Sequence, residues 1–314
     1  MTKESTREAY GRALCELGDS NPNIAVVDAD LSLCTMTCYF AKKHPEHFFN
    51  AGISEADMVG VGAGLATTGK TVFVNSFAMF SAGRAYDQIR NSVCYPHLNV
   101  KVVGTHAGLT VGEDGATHQC IEDISLMRTI PGMTVIVPCD AEEARQATKA
   151  MAEYDGPCYF RLGRAAADTV VTEVPGYHFE IGKAVTMRPG TSATIIATGI
   201  MVRRALEAAQ ALAEEGLDVR VLDMHTIKPI DREAILAAAR ETGAIVTAEE
   251  HNVIGGLGAA VGEVLMGSDA RVPVVQVGVE DVFGHSAPAE VCLEAYGLTS
   301  EHVAQAVKEA IVLR

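Results

Sequence analysis

Tryptophan is absent from the 314 residues, and the aromatics together make up only 5%. Ring packing therefore cannot carry the core. Val, Ile, Leu, Ala and Met must do so, and at 48% hydrophobic residues there is enough material. Positive charge is also short: 25 Lys and Arg against 40 Asp and Glu leave a formal net charge of -15. That balance argues against nucleic acid or an anionic membrane as a partner, because phosphate surfaces attract basic faces. None of the eight cysteines stands in a CxxC pair, so buried reduced thiols are expected and not a disulfide frame or a zinc site. The start, MTKESTREAY, lacks an apolar stretch, so no signal peptide is expected and a cytoplasmic location follows. The longest apolar run, ATIIATGIMV, is broken by Thr and Gly and suits a buried strand, not a membrane span.

What is present is an alternation of short β-branched runs with helical periods, in a chain long enough for two compact domains. Ser5 and Glu8 form a capping box ahead of a helix that buries Ala9, Ala13, Leu14 and Leu17 and stops near Gly18. The strand IAVVDAD follows, then FFNAGIS leading into the small-residue helix EADMVGVGAGLATTG. TVFVNSF, NVKVVGT and MTVIVPC are further strands. Asp140 and Glu143 repeat the capping signature, and CYFRLGR is the last strand of the unit. This rhythm predicts an α/β fold: a mainly parallel sheet with helices on both faces, over residues 1–165. Residues 166–190 have no helical period and predict a linker. A second α/β unit of the same kind is expected over 191–314, with strands ATIIATG, VRVLDM, AIVTAEE and VPVVQVG and the amphipathic helix VRRALEAAQALAEEG.

Ligands of open parallel sheets bind outside the carboxyl ends of the strands. The first unit brings Asp28, Asp30, Glu55, Phe77, Phe80, His106, the loop HAGLTVGEDGATHQ with Glu113, Asp114 and His118, and Arg161 and Arg164 to that edge. A single strand-end acid is more often a helix cap. So varied a set favours a ligand site. Spacing alone leaves Glu55 open between a functional acid and an acid placed at a helix N-terminus by the dipole. Gly108, Gly112 and Gly115 suit a backbone bent around a ligand and equally a plain flexible loop. The acids and histidines match no familiar metal-ligand spacing, so no metal site is expected on this chain. Composition and spacing end there, at an enzyme-like rim with no named reaction.

The strings GISEADM, FVNSFAMFSAGRAYDQIR and THAGLTVGEDGATHQ resemble the pyrimidine-binding domain of transketolases. The likeness continues through LDMHTIKPID and TAEEHNVIGGLG, and it is nearest to the separately encoded C-terminal chains of split bacterial transketolases. The resemblance implies thiamine diphosphate as cofactor, with Glu55 bonded to N1′ of its aminopyrimidine and promoting the imino tautomer that removes the thiazolium C2 proton. It implies that Phe77 and Phe80 wall the pyrimidine and that Asp30 lies near the thiazolium. It implies that His118 contacts the substrate carbonyl or hydroxyl, that Asp114 reads a sugar hydroxyl, and that Arg7, His106 and Arg164 hold a sugar phosphate. Glu55 and His118 are the expected catalytic residues. Cys34 departs from the family's usual Ser at the phosphate end, and Ala56-Asp57 replaces the residues many relatives carry after the glutamate.

The superfamily holds the diphosphate and Mg²⁺ through a GDG motif and a following Asn, and this chain has no GDG. The resemblance therefore implies a partner: an N-terminal transketolase chain carrying those ligands, in an α₂β₂ assembly. The implied reaction is transfer of a two-carbon ketol unit from a ketose phosphate to an aldose phosphate. Three rival readings stand beside it. A 2-oxoacid dehydrogenase β subunit has similar length but lacks the GEDGATHQ loop. A 1-deoxyxylulose-5-phosphate synthase shares much of the loop but usually has Arg at the place of His106. A non-catalytic regulatory paralogue has no need of Glu55, Asp114 and His118 together.

Overall fold

The computed structural model describes residues 3–314. Its strands are β1 (Lys3–Ser5), β2 (Ile24–Asp28), β3 (Phe48–Asn50), β4 (Thr71–Phe77), β5 (Val100–Thr105), β6 (Thr134–Ile136), β7 (Cys158–Arg161), β8 (Ala166–Asp168), β9 (Val185–Arg188), β10 (Ala193–Ala197), β11 (Val219–Asp223), β12 (Thr226–Lys228), β13 (Ile245–Asn252) and β14 (Val274–Val279). Seven of them form one sheet in the order β12-β6-β7-β5-β4-β2-β3, in which only the β12–β6 pair is antiparallel. Five form a second sheet, β14-β13-β10-β11-β9, in which only β9 runs antiparallel to its neighbour. The fold is thus α/β, with two mainly parallel sheets clad in helices.

Every residue of β2, β4 and β5 is buried, as expected of strands covered on both faces. On one face, Tyr10, Leu14, Phe73, Val103 and Phe160 pack under the helices Thr6–Ser20 and Ala141–Glu153. On the other face, Val27, Val74 and Val102 share a core with Ile196, Leu222, Leu257 and Val261 of the second unit. One apolar layer therefore joins both sheets. Both N-cap residues act as the sequence suggests. Ser5 accepts the N–H of Glu8, Asp140 accepts that of Glu143, and the Glu143 carboxylate reaches back to the N–H of Cys139. The first helix runs on past Gly18 to Ser20, and Leu17 is only part-buried.

The segment expected as a plain linker is docked: β8 pairs with β1, the N–H groups of Val170 and Val171 donate to Asp140, and Phe179 is buried against His225. β12, from the second unit, extends the first sheet beyond β6. No described helix is long and apolar enough to cross a membrane.

Candidate functional site

The carboxyl ends of β2, β4, β5 and β7 and the turn after β3 open on one rim, and local geometry decides which side chains face it. Asp28 does not. It is fully buried and accepts the N–H of Leu31 at 2.6 Å and the hydroxyls of Thr35 and Thr37 at 2.7 and 2.9 Å. It shapes the turn that presents Asp30 and Cys34. Arg161 is likewise spent inside: its Nε donates to both oxygens of buried Asp123 and its Nη2 to the carbonyls of Cys120 and Glu250. Both stood among the expected rim residues and are structural in this chain.

Asp30 is exposed, sits at φ 63°, and accepts from Asn50 Nδ2 at 2.8 Å. Glu55 opens the helix Glu55–Ala66 and is buried, 5% exposed. Its two oxygens accept from Arg84 Nη1 at 3.2 and 3.4 Å. Arg84 also lies over the Phe80 ring, 4.1 Å from its centroid, so carboxylate, guanidinium and ring form one stack. Sequence reasoning missed Arg84. The signal was its place four residues after Phe80, though both sit in a π-helical turn, Met79–Arg84, that no sequence pattern announced.

Phe77 and Phe80 stack at 5.6 Å, and His106 lies on the Phe77 ring at 3.9 Å. His118 meets Phe80 edge-on at 5.2 Å. An aromatic wall thus faces two imidazoles. His106 is held at φ 56° with its Nδ1 paired to the Thr105 hydroxyl at 3.0 Å. Burial first, then the charges of Arg7, Arg164 and His118, push its pKa from 6.5 down to about 3. It is therefore a neutral imidazole at physiological pH and not a third cation.

Arg7 donates from Nη1 to the carbonyl of Cys34 at 2.6 Å, while its buried Nε has no hydrogen-bond partner. Burial and the nearby charge of Arg164 both pull its pKa down. Arg164 donates to the carbonyl of Val111 and lies 3.6 Å from Glu113 and 3.8 Å from Asp114. Two guanidiniums that disfavour each other, one with an orphan N–H, thus stand close together in a chain of net charge -15. The structure thus gathers Arg7, Cys34, His106, His118 and Arg164 along one rim beside Phe77 and Phe80, with Glu55 paired to Arg84.

Comparison with known proteins shows the family. Residues 2–169 match the family described as "Transketolase, pyrimidine binding domain", and residues 182–303 match "Transketolase, C-terminal domain". A chain of Methanocaldococcus jannaschii described as a transketolase C-terminal section is 48% identical over 303 residues, covering 96% of this chain and 95% of its own length. A 6-deoxy-6-sulfo-D-fructose transketolase subunit of a Clostridium species is 43% identical over 303 residues, covering 96% of this chain and 93% of its own. A solved structure described as a split gene transketolase, inactive beta4 tetramer, superposes with a TM-score of 0.91 at 54% identity, covering 98% of this chain and 99% of that one. The chain belongs to the transketolase family and carries that family's pyrimidine-binding and C-terminal domains.

Proposed function

We propose that this chain is the C-terminal subunit of a split, thiamine-diphosphate-dependent transketolase, moving a two-carbon ketol unit from a ketose phosphate to an aldose phosphate. The observation that carries the reading is the buried Glu55 carboxylate, paired with an arginine that lies on the Phe80 ring, on the rim that also holds His118, Arg7 and Arg164. The residues fit the pyrimidine half of the cofactor. Phe77 and Phe80 offer a ring face, and Glu55 offers one carboxylate that accepts from Arg84, an arginine whose side chain is 55% exposed. They do not supply the other half. Among the described residues the one cluster able to hold a cation is Cys139, Glu143 and Asp223, which is wholly buried where the two units meet. The diphosphate and Mg²⁺ ligands therefore fall to an N-terminal partner chain, in an α₂β₂ assembly.

Thiamine diphosphate, when bound, supplies an acidic thiazolium C–H and an electron sink for cleaving the bond next to a carbonyl. The chain's own residues do the rest. Glu55 would exchange its bond to Arg84 for a hydrogen bond with the pyrimidine ring nitrogen. Asp30, fixed by Asn50, would lie near the thiazolium. His118 exchanges a proton with the substrate's carbonyl or hydroxyl oxygen. Asp114 reads a sugar hydroxyl. Arg7 and Arg164 clamp the terminal oxyanion, with His106 as a neutral donor beside them.

Cys34 has a defined part in this arrangement. Its carbonyl, not its thiol, holds Arg7. The change from the family's Ser therefore removes one neutral hydroxyl and leaves the arginine in place. A second reading of the same receptacle is a different terminal oxyanion, favoured by the Clostridium relative named for a sulfo-sugar. The test of the main reading is cofactor C2–H exchange, followed by NMR in deuterated buffer, in the reconstituted assembly. Glu55→Gln slows it by about two orders of magnitude if Glu55 acts as proposed. Unchanged exchange assigns the step elsewhere.

A further inference from the structure

The loop 106–119, which carries Asp114 and His118, is not shaped by its own domain alone. Glu250, at 4% exposure near the end of β13, accepts the N–H of Thr110 on Oε1 at 2.6 Å. Gly108 has φ 81°, and a Cβ there would lie 2.2 Å from the Glu250 carboxyl carbon, so carboxylate and loop backbone are in direct contact. Arg161 donates to the carbonyl of the same residue at 2.8 Å, tying it to the end of β7. Gln119 closes the loop. Its Nε2 donates to the carbonyls of Leu109, Gly112 and His285 at 3.2, 3.3 and 3.0 Å, joining both ends of the loop to the second domain. Ser286 donates to the carbonyl of Glu113, next to Asp114.

Simple domain packing does not require this arrangement. A carboxylate buried at a domain boundary costs several kcal/mol unless its partners are well placed, and this one spends its oxygen on a main-chain N–H inside a Gly-rich loop. Gly112 at φ 82° and Gly115 at φ 74° make that loop unable to hold one shape through side-chain sterics. We propose that the C-terminal domain sets the working conformation of the substrate loop, with Glu250 as the main positioning residue and Gln119 and Ser286 as its auxiliaries. The proposal rests on the reading that Asp114 and His118 meet substrate. It gives the C-terminal domain a part in substrate selection without touching the substrate itself.

Hydrogen–deuterium exchange on the full chain tests the clamp with no cofactor, partner or activity needed. Glu250→Ala should raise exchange at residues 109–115 by about tenfold or more while β4 and β5 stay protected. Glu250→Gln, which keeps an acceptor oxygen, should restore most of the protection. Ser286→Ala removes an exposed hydroxyl that the fold does not depend on, and should loosen Glu113–Gly115 alone. Should Glu250→Ala open the whole chain, the Ser286→Ala and Glu250→Gln results decide. An unchanged loop in Ser286→Ala, or equal opening of loop and sheet in Glu250→Gln, overturns the proposal. In the reconstituted assembly, Glu250→Ala should raise KM for sugar substrates about tenfold and lower kcat less. A loosened loop in an assembly without ketol transfer would leave the clamp standing and remove the reading of the site.

Discussion

His106 carries two burdens. A non-glycine residue at φ 56° is strained by about 1–3 kcal/mol, and its pKa is pushed from 6.5 to about 3. The folded imidazole stays neutral where the unfolded one gains a proton. Its contribution to stability is therefore complete above pH 6.5 and is lost as pH falls from there toward 3. In an NMR titration His106 should show no protonation step between about pH 5 and 8. A step near 6.5 would mean that it is solvated and not pressed between Phe77 and the arginines. The arginines themselves give a second expectation. Arg164→Ala should raise KM for a phosphorylated acceptor at least about tenfold and leave glycolaldehyde nearly unaffected, because a charged contact is worth roughly 1.5–3 kcal/mol. Cys34→Ser should change that KM only a few-fold, most often downward, since the Cys34 carbonyl already holds Arg7. Equal weakening of both acceptors by Arg164→Ala would make Arg164 a loop anchor through Val111 and no more.

At the scale of elements, the helix Glu55–Ala66 reaches β4 through glycine. A Cβ on Gly62 would lie 2.4 Å from Val74 Cγ1, whereas nothing lies within 4 Å of one on Gly60 or Gly64. Gly62→Ala should destabilise the chain by about 1–3 kcal/mol, a Tm loss of several degrees. Alanine at Gly60 or Gly64 should be neutral or stabilising, since a mid-helix glycine is itself unfavourable by about 0.5–1 kcal/mol. A thermal melt of the three variants separates packing from propensity. The elements legible in the sequence were those with strong local causes. The capping boxes at Ser5 and Asp140, the all-buried runs of β2, β4 and β5, and the amphipathic helix Met201–Glu214 are of that kind. What escaped is non-local. β12 pairs with a strand ninety or so residues before it in the chain, and β8 pairs with the N-terminus. The π turn that aims Arg84 at Glu55 depends on packing and not on residue preference. Asp28 and Arg161 could not be told from site residues by position. Only their partners, Thr35, Thr37 and Asp123, show that they are spent.

Seen whole, the molecule is two α/β units with one shared apolar layer, a strand lent from the second to the first, and a loop of the first held by the second. The union leaves a rim that is well furnished on one side, with an acid, an aromatic wall, two imidazoles and two arginines, and that lacks diphosphate ligands in its own sequence. On the proposed reading this is half of a cofactor site. The matching structure is described as an inactive beta4 tetramer of a split gene transketolase. The most direct measurement is ketol transfer by the purified chain, alone and then mixed with an N-terminal transketolase chain, Mg²⁺ and thiamine diphosphate. The account predicts no turnover from the chain alone, turnover on mixing, and a loss of about two orders of magnitude when the mixed chain carries Glu55→Gln. Robust transfer by the chain alone, or none from the complete mixture, would contradict it.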